Sequence, residues 1–216
     1  MLERYRKLPL SAVSDALDLL GQPGQCLGIR PVFPELPMAG PCFTVEYQLI
    51  EEAGANKTVG DYIDEVPEGH VVLIANAGRE DCTVWGDILS LSASRRGLAG
   101  TAIDGVCRDA DASRALRYPL FSRGVFMRTG KGRVALKSVQ KPVRFCGLPV
   151  KPGDIVVGGF EGLLVVPAAI EDAVLAQATA IERAEEGIRA AIEKGVPLKE
   201  ARRAAGYHDI QKKKLP

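Results

Sequence analysis

The sequence predicts a mixed α/β fold, and three observations carry that reading. Short aliphatic runs bounded by glycine or proline recur, among them Val71–Ala75, Thr101–Ile103, Ile155–Val157 and Leu163–Val166. Unbroken apolar runs of this kind mark strands covered on both faces. Segments with helical spacing lie between them. Past Pro167 the composition turns Ala/Glu-rich: over Ala168–Lys194, Ile170, Val174, Ala178, Ile181, Ile188 and Ile192 share one stripe, which predicts a long amphipathic helix.

The elements follow in chain order. Ser11–Leu20 reads as a helix with Ser11 as N-cap, Val13, Leu17 and Leu20 at helical spacing, and Gly21 as its stop. Gly24–Gly40, with Pro31, Pro34 and Pro37, reads as an ordered loop, and Cys42–Ile50 alternates as a strand. Asp61–Val66 is a short helix and Pro67-Glu68-Gly69 a turn. Gly86 opens a helix over Asp87–Arg96 that Gly97 closes, and Ala110–Leu116 is a third helix. Pro119–Met127 and Ser138–Phe145 read as strands. The segment Gly158–Gly162 between two aliphatic runs is a hairpin signal. This order lacks the regular βαβ repeat of a doubly wound nucleotide fold, and no internal repeat is evident. The length suits one domain over 1–216, with 168–194 as a helical extension.

Composition excludes several function classes. Lys and Arg number 28 against 27 Asp and Glu, a formal net charge of +1, whereas nucleic-acid binding needs a concentrated basic surface. The basic runs are short (Arg95–Arg96, Arg202–Arg203, Lys212–Lys214) and read as solvated faces. No apolar stretch is long enough to span a bilayer. Met1–Arg6 has no apolar region behind its charges, unlike a secretory signal. The five cysteines (Cys26, Cys42, Cys82, Cys107, Cys146) are scattered and form no CxxC, which predicts reduced thiols in a cytoplasmic protein. With only His70 and His208, a histidine metal site and a Ser-His-Asp triad are both poor fits. Any catalysis falls to carboxylates, arginine and backbone amides.

Nucleotide motifs are missing as well. There is no GxxxxGK[ST], and Gly130-Lys131-Gly132 lacks the setting of a dinucleotide fingerprint, so Thr129–Gly132 reads as a loop. The informative stretch runs from Trp85-Gly86-Asp87-Ile88-Leu89 to Arg108-Asp109. Gly86 lets backbone pass close to a ligand. Free amides at the helix start, around Gly86, Asp87, Ile88 and Leu89, form a natural carboxylate pocket. Arg108 and Asp109 follow a buried strand and precede a helix, a position where functional loops occur. Arg108 can fork onto an anionic substrate. Asp109 can hold Mg²⁺ or Mn²⁺ with waters completing the shell, and Asp87 is a second acid beside it. Each residue also has a plainer role: Asp87 as a favourable charge at a helix start, Asp109 as an N-cap, Arg108 as half of a surface ion pair.

Gly86-Asp87-Ile88-Leu89 followed by Arg108-Asp109 resembles the RraA-like family, which includes class II 4-hydroxy-4-methyl-2-oxoglutarate / 4-carboxy-4-hydroxy-2-oxoadipate aldolases, active as oxaloacetate decarboxylases, and a regulator of ribonuclease activity. Ser14–Asp18, Gly40–Thr44, Gly100–Gly105, Pro152–Val157 and Gly162–Pro167 resemble further family segments, and the likeness runs from about Ser11 to Glu186. The resemblance implies a swivelling-type α/β/β sandwich, assembled as trimers or hexamers with the active site between subunits. It implies that the Gly86–Leu89 backbone receives the carboxylate of a 2-oxo acid, that Arg108 contacts substrate, and that Asp109 holds Mg²⁺ or Mn²⁺ with Asp87 assisting. An acid from a neighbouring subunit's C-terminal helix also enters the family site; Glu185 is the candidate, with Glu182 and Glu186 as rivals. Glu185 falls within the apolar stripe of its helix, where it also reads as a side chain snorkelling at the edge. Where the family often carries an aspartate in the hairpin, this chain has Gly159, with Glu161 nearby.

The implied activity is cleavage of a 4-hydroxy-2-oxo diacid to pyruvate, with oxaloacetate decarboxylation through the same enolate. Non-catalytic regulation of a ribonuclease is the alternative. A menaquinone methyltransferase, an older label for such sequences, is disfavoured by the missing methyl-donor loop.

Overall fold

The computed structural model describes residues 2–5, 7–50 and 59–206. His208 and the Lys212–Lys214 tail lie outside them.

Six α-helices, two short 3-10 turns and eleven strands alternate along the described chain. After α1 (Leu2–Tyr5), the helix predicted from Ser11 is α2 (Leu10–Leu19). Pro9 rather than Ser11 stands at its N-cap, and no side chain caps it. Strands β2 (Met38–Leu49), β3 (Val71–Thr83) and β4 (Gly100–Cys107) are each longer than their apolar runs suggested. β3 reaches Thr83 through a polar stretch where its pairing with β4 shifts register twice. Two strands correct the sequence reading. Pro119–Met127 is divided into β5 (Leu120–Ser122) and β6 (Gly124–Val125). The Ser138–Phe145 strand is instead β7 (Val134–Val139) and β8 (Val143–Phe145), because Gln140 takes a left-handed φ of 52° and Pro142 offers no amide.

From β3 the chain runs through α3 (Asp87–Arg95), β4 and α4 (Ala110–Ala115) to β5. The three strands of this run are parallel, so one βαβαβ passage is present although no regular repeat was expected. The sheet order is β1 (Arg30–Pro31), β5, β4, β3, β2, β10 (Ile155–Gly159), β11 (Gly162–Val166), with β6 beside β4 and β7 beside β2. β10 and β11 form the expected hairpin. Gln25 bridges to Leu164, and a few residues later β1 pairs with β5. The segment between them nearly closes the sheet on itself.

Closure sorts the apolar side chains into three groups. Inside the sheet lie Ile29, Met38, Leu73, Ala102, Phe121 and Val156, plugged by Val143, Phe145 and Val150 of the β8–β9 (Leu148–Val150) hairpin. Outside it, α3 and α4 cover Phe43, Ile74, Trp85, Ile103 and Tyr118. On the remaining face, α2 and the long α5 (Glu171–Glu193) cover β10 and β11 through Leu17, Val174, Ala178 and Ile181. Of the predicted stripe, Val174, Ala178, Ile181 and Ile188 are buried, while Ile192 is 44% exposed. α6 (Leu198–Ala204) follows, unforeseen from sequence.

Burial pushes the hydroxyls of Tyr47, Tyr62 and Tyr118 above the ordinary tyrosine range. The unfolded chain releases these protons near pH 10, while the folded chain keeps them. Their stabilisation is therefore complete below about pH 10 and declines above it, by up to about 1.4 kcal/mol per pH unit for each tyrosine. Urea midpoints measured from pH 9 to 11 should fall with this sign, and Tyr118→Phe should flatten the slope.

Candidate functional site

The candidate site sits beyond the C-terminal ends of β3 and β4, where open α/β sheets place their ligands. β3 ends at Thr83 and passes through Val84-Trp85-Gly86 into α3; β4 ends at Cys107 and passes through Arg108-Asp109 into α4. The two crossings touch. The Arg108 amide donates to the Trp85 carbonyl at 3.0 Å. A Cβ on Gly86 would lie 2.8 Å from Asp109 Oδ2 and 3.2 Å from Arg108 Nε. Gly86 is extended (φ −151°), so its backbone does not demand glycine. The missing side chain makes room for Arg108 and Asp109 rather than for a ligand alone.

Asp109 occupies the left-handed region, φ 54° and ψ 40°. Aspartate tolerates that conformation better than most residues. It stands at the N-cap position of α4, yet its carboxylate makes no capping hydrogen bond. Instead Oδ2 lies 3.2 Å from Arg108 Nε, with both side chains partly exposed. The ion pair anticipated as the plain reading is formed, and it engages Nε of the guanidinium and one of the two carboxylate oxygens. No side chain caps α3, and its first turn lines one pocket together with Arg108. Asp87 is exposed at the head of α3.

A buried polar chain fixes the two helices against each other. Trp85 Nε1 donates to Ser90 Oγ at 2.8 Å, and Ser90 Oγ meets Ser113 Oγ at 2.7 Å. Trp85 stacks on Tyr118, whose hydroxyl meets Thr101 Oγ1 at 2.9 Å. Ser90→Val strands the indole N–H and the Ser113 hydroxyl, at an expected cost of about 1–3 kcal/mol. Differential scanning calorimetry should register this as a fall of several degrees in Tm.

The resulting pocket, about 250 Å³, is lined by Asp61, Trp85, the Gly86–Leu89 turn, Arg108, Thr129 and Lys131, among others. Asp109 adjoins it through Gly86. Lys131 and Thr129 were missed in the sequence, where Thr129–Gly132 read only as a loop. Gly130 carries the available signal: a Cβ there would sit 2.4 Å from the Thr83 carbonyl oxygen, so only glycine lets this loop press against β3. Lys131 adds a second cation to a pocket that Asp61 and Asp87 also line.

Glu185 is not brought to this pocket within the chain, nor are Glu182 and Glu186. They lie on α5, where Arg189 binds Glu182 and also reaches Glu185 at 3.4 Å. The hairpin positions Gly159 and Glu161 are likewise away from it, Glu161 lining a separate hollow beside Arg30. Among the described residues, no three His, Cys, Asp or Glu side chains cluster as a metal cage. No described helix is long and apolar enough to cross a membrane.

Comparison with known proteins adds an independent line. A family model described as "RraA-like: Aldolase/RraA" matches residues 10–165. The chain is 38% identical over 203 residues to protein DlpA of Legionella pneumophila, a match covering 94% of this chain but 33% of DlpA. It thus spans about a third of that relative's length. It is 32% identical over 197 residues to a Halalkalibacterium halodurans protein named "Putative 4-hydroxy-4-methyl-2-oxoglutarate aldolase", with 90% of each chain covered. The crystal structure of an uncharacterized protein from Pseudomonas syringae pv. tomato superposes with a TM-score of 0.85 at 42% identity, covering 93% of this chain and 96% of that one.

Proposed function

The chain belongs to the RraA-like family, and from that premise we propose that it is a lyase cleaving the C3–C4 bond of a 4-hydroxy-2-oxo diacid to release pyruvate. The observation that carries the reading is that the uncapped first turn of α3 and Arg108 line one pocket, with the Asp109 carboxylate, held in a left-handed turn without a capping role, beside Arg108 at its rim. A 2-oxo acid presents a carboxylate and an adjacent carbonyl, which match an amide-lined anion site beside a cation.

The donor set suits a hard divalent cation. Asp109 is one partly exposed carboxylate with Asp87 nearby, and Mg²⁺ or Mn²⁺ is commonly held by one or two carboxylates plus waters and substrate oxygens. When bound there, such an ion supplies Lewis-acid polarisation of the 2-oxo group. The protein does the rest. Amides of residues 87–89 hold the C1 carboxylate. Arg108 faces the oxygen at C2, where negative charge grows as the C3–C4 electron pair moves towards C3, so its attraction strengthens in the transition state. Asp87 draws off the C4 hydroxyl proton through a water, and on the family pattern Glu185 of a neighbouring copy shares that task. Oxaloacetate loses CO₂ to give the same enolate and needs no such base. Lys131, on the wall of the pocket, is placed to meet the second carboxylate of a diacid.

Purified protein with Mg²⁺ or Mn²⁺ should release pyruvate from oxaloacetate and from branched 4-hydroxy-2-oxo diacids, and EDTA should stop it. No turnover on either substrate with metal present, together with tight metal-independent capture of an RNA-degrading enzyme, would favour regulation instead.

Assembly belongs to the same reading. Ile88 is 76% exposed on the pocket's edge, Met127 75% and Val125 57% on the segment beside β4. Apolar groups gathered beside a site mark a surface that is covered in solution. Light scattering should give a trimer or hexamer, and Ile88→Asp with Met127→Lys should shift it towards smaller species.

A further inference from the structure

A second pocket, about 370 Å³, shares no lining residue with the candidate site and is lined by Glu46, Ala77, Asp104, Arg123, Arg144 and Cys146, among others. Four observations converge on its cysteine. Cys146 and Gly147 form the two-residue turn between β8 and β9, with φ of 50° and 82°. Such a turn favours Asn-Gly, and cysteine at its first position carries backbone strain. The turn is nonetheless latched to the sheet: the Cys146 amide donates to Asp104 Oδ2 at 3.1 Å, and Asp104 Oδ1 accepts from Arg123 Nε at 2.7 Å. Arg123 also reaches the sulfur, Nη2 to Sγ 3.9 Å. A partly exposed thiol beside a guanidinium is the setting in which cysteines react.

The fourth observation is a neighbouring thiol. Cys26 is 5% exposed and belongs to the core inside the sheet, against which Cys146 packs. It lies on the segment that closes the sheet, pinned by its amide to the Leu163 carbonyl at 3.0 Å. Arg123 spans the same junction, since a Cβ on Gly28 would fall 2.6 Å from its Nη1. We propose that Cys146 is an oxidant-sensitive cysteine and that Cys26 is its resolving partner, the two forming a disulfide that fastens the β8–β9 turn to the closing segment of the sheet. Hydrogen bonding to Cys146, and then burial, push the Cys26 thiol up, so Cys26 holds its proton while Cys146 is the sulfur that meets the pocket.

The chemistry needs hydrogen peroxide, small enough for a pocket of this volume. The Cys146 thiolate attacks one peroxide oxygen; an S–O bond forms, the O–O bond breaks, and hydroxide leaves, so sulfur is oxidised by two electrons as the peroxide is reduced. The Cys26 sulfur then attacks Cys146 sulfur. An S–S bond forms, the S–O bond breaks, and the Cys26 proton leaves with the departing oxygen as water. A dithiol reductant returns both thiols by exchange.

The test treats the full chain with hydrogen peroxide, alkylates it under denaturing conditions, and maps peptides by mass spectrometry. The expected result is one Cys26–Cys146 disulfide, reversed by dithiothreitol, with Cys146 modified at least about tenfold faster than Cys42, Cys82 or Cys107. In Cys26→Ala the oxidation should stop at a Cys146 sulfenic acid trapped by dimedone. In Cys146→Ser no intramolecular disulfide should form. Oxidation of Cys42, Cys82 or Cys107 as fast as Cys146, a disulfide with any other partner, or an oxidised Cys146 that leaves Cys26 free in the wild type overturns the proposal. Circular dichroism of both variants confirms that they are folded before treatment.

Discussion

Asp109→Asn is expected to lower pyruvate release from oxaloacetate by about a thousandfold, corresponding to about 4 kcal/mol of lost transition-state stabilisation. Asparagine is the informative replacement. It tolerates the left-handed backbone at φ 54° as aspartate does, and the side chain it replaces makes no cap whose loss would loosen α4. Thermal stability should therefore change little. Loss of activity with an unchanged Tm assigns the carboxylate to chemistry. Loss of both would return Asp109 to the plain role of holding a helix start. Asp109→Ala combines the two effects, because alanine in that conformation costs roughly 1 kcal/mol.

Gly86→Ala is the second large effect, and it separates room from conformation. The extended backbone at Gly86 accepts alanine without strain, but the new methyl group would press on Asp109 Oδ2 at 2.8 Å and Arg108 Nε at 3.2 Å. These side chains must move by a few tenths of an ångström or more. Misplacement of a reacting group on that scale costs about 10- to 100-fold in rate, so kcat/KM should fall by this amount while the protein stays folded. Gly21→Ala should behave in the opposite way. Gly21 has φ 66°, and a Cβ there would meet nothing within 4 Å, so the substitution strains the backbone by about 1 kcal/mol and leaves turnover intact. Steady-state kinetics and melting curves on the pair distinguish the two uses of glycine.

The elements that position the candidate site were legible in the sequence where local signals set them. The start of α3 at Asp87 and of α4 at Ala110 followed from Gly86 and from the strand-to-helix change after Cys107, and the structure has both. The reason for Gly86 was only half visible: closeness to Arg108 and Asp109 is a tertiary contact between two crossings about twenty residues apart. Lys131 was illegible for the same cause, since what brings its loop to β3 is the approach of Gly130 to the Thr83 carbonyl. Fold errors fell where polarity and strand geometry disagree. The apolar run read from the sequence stops at Ala75, yet β3 continues to Thr83 through two register shifts. Ser138–Phe145 alternates like a strand, yet Gln140 and Pro142 divide it. Sheet closure through residues 25–31 had no signature at all, because it rests on a single bridge and a two-residue strand. It is nonetheless what sets Cys26 beside Cys146.

The most direct measurement is water-proton relaxation of Mn²⁺ titrated into the protein with and without oxalate, a mimic of the pyruvate enolate, in the wild type and in Asp109→Asn. A shared metal and 2-oxo acid site predicts that Mn²⁺ binds the wild type, that oxalate tightens it, and that Asp109→Asn loses both effects. Equal Mn²⁺ binding by the variant, or oxalate binding that is indifferent to the ion, would contradict the assignment of one hollow to both.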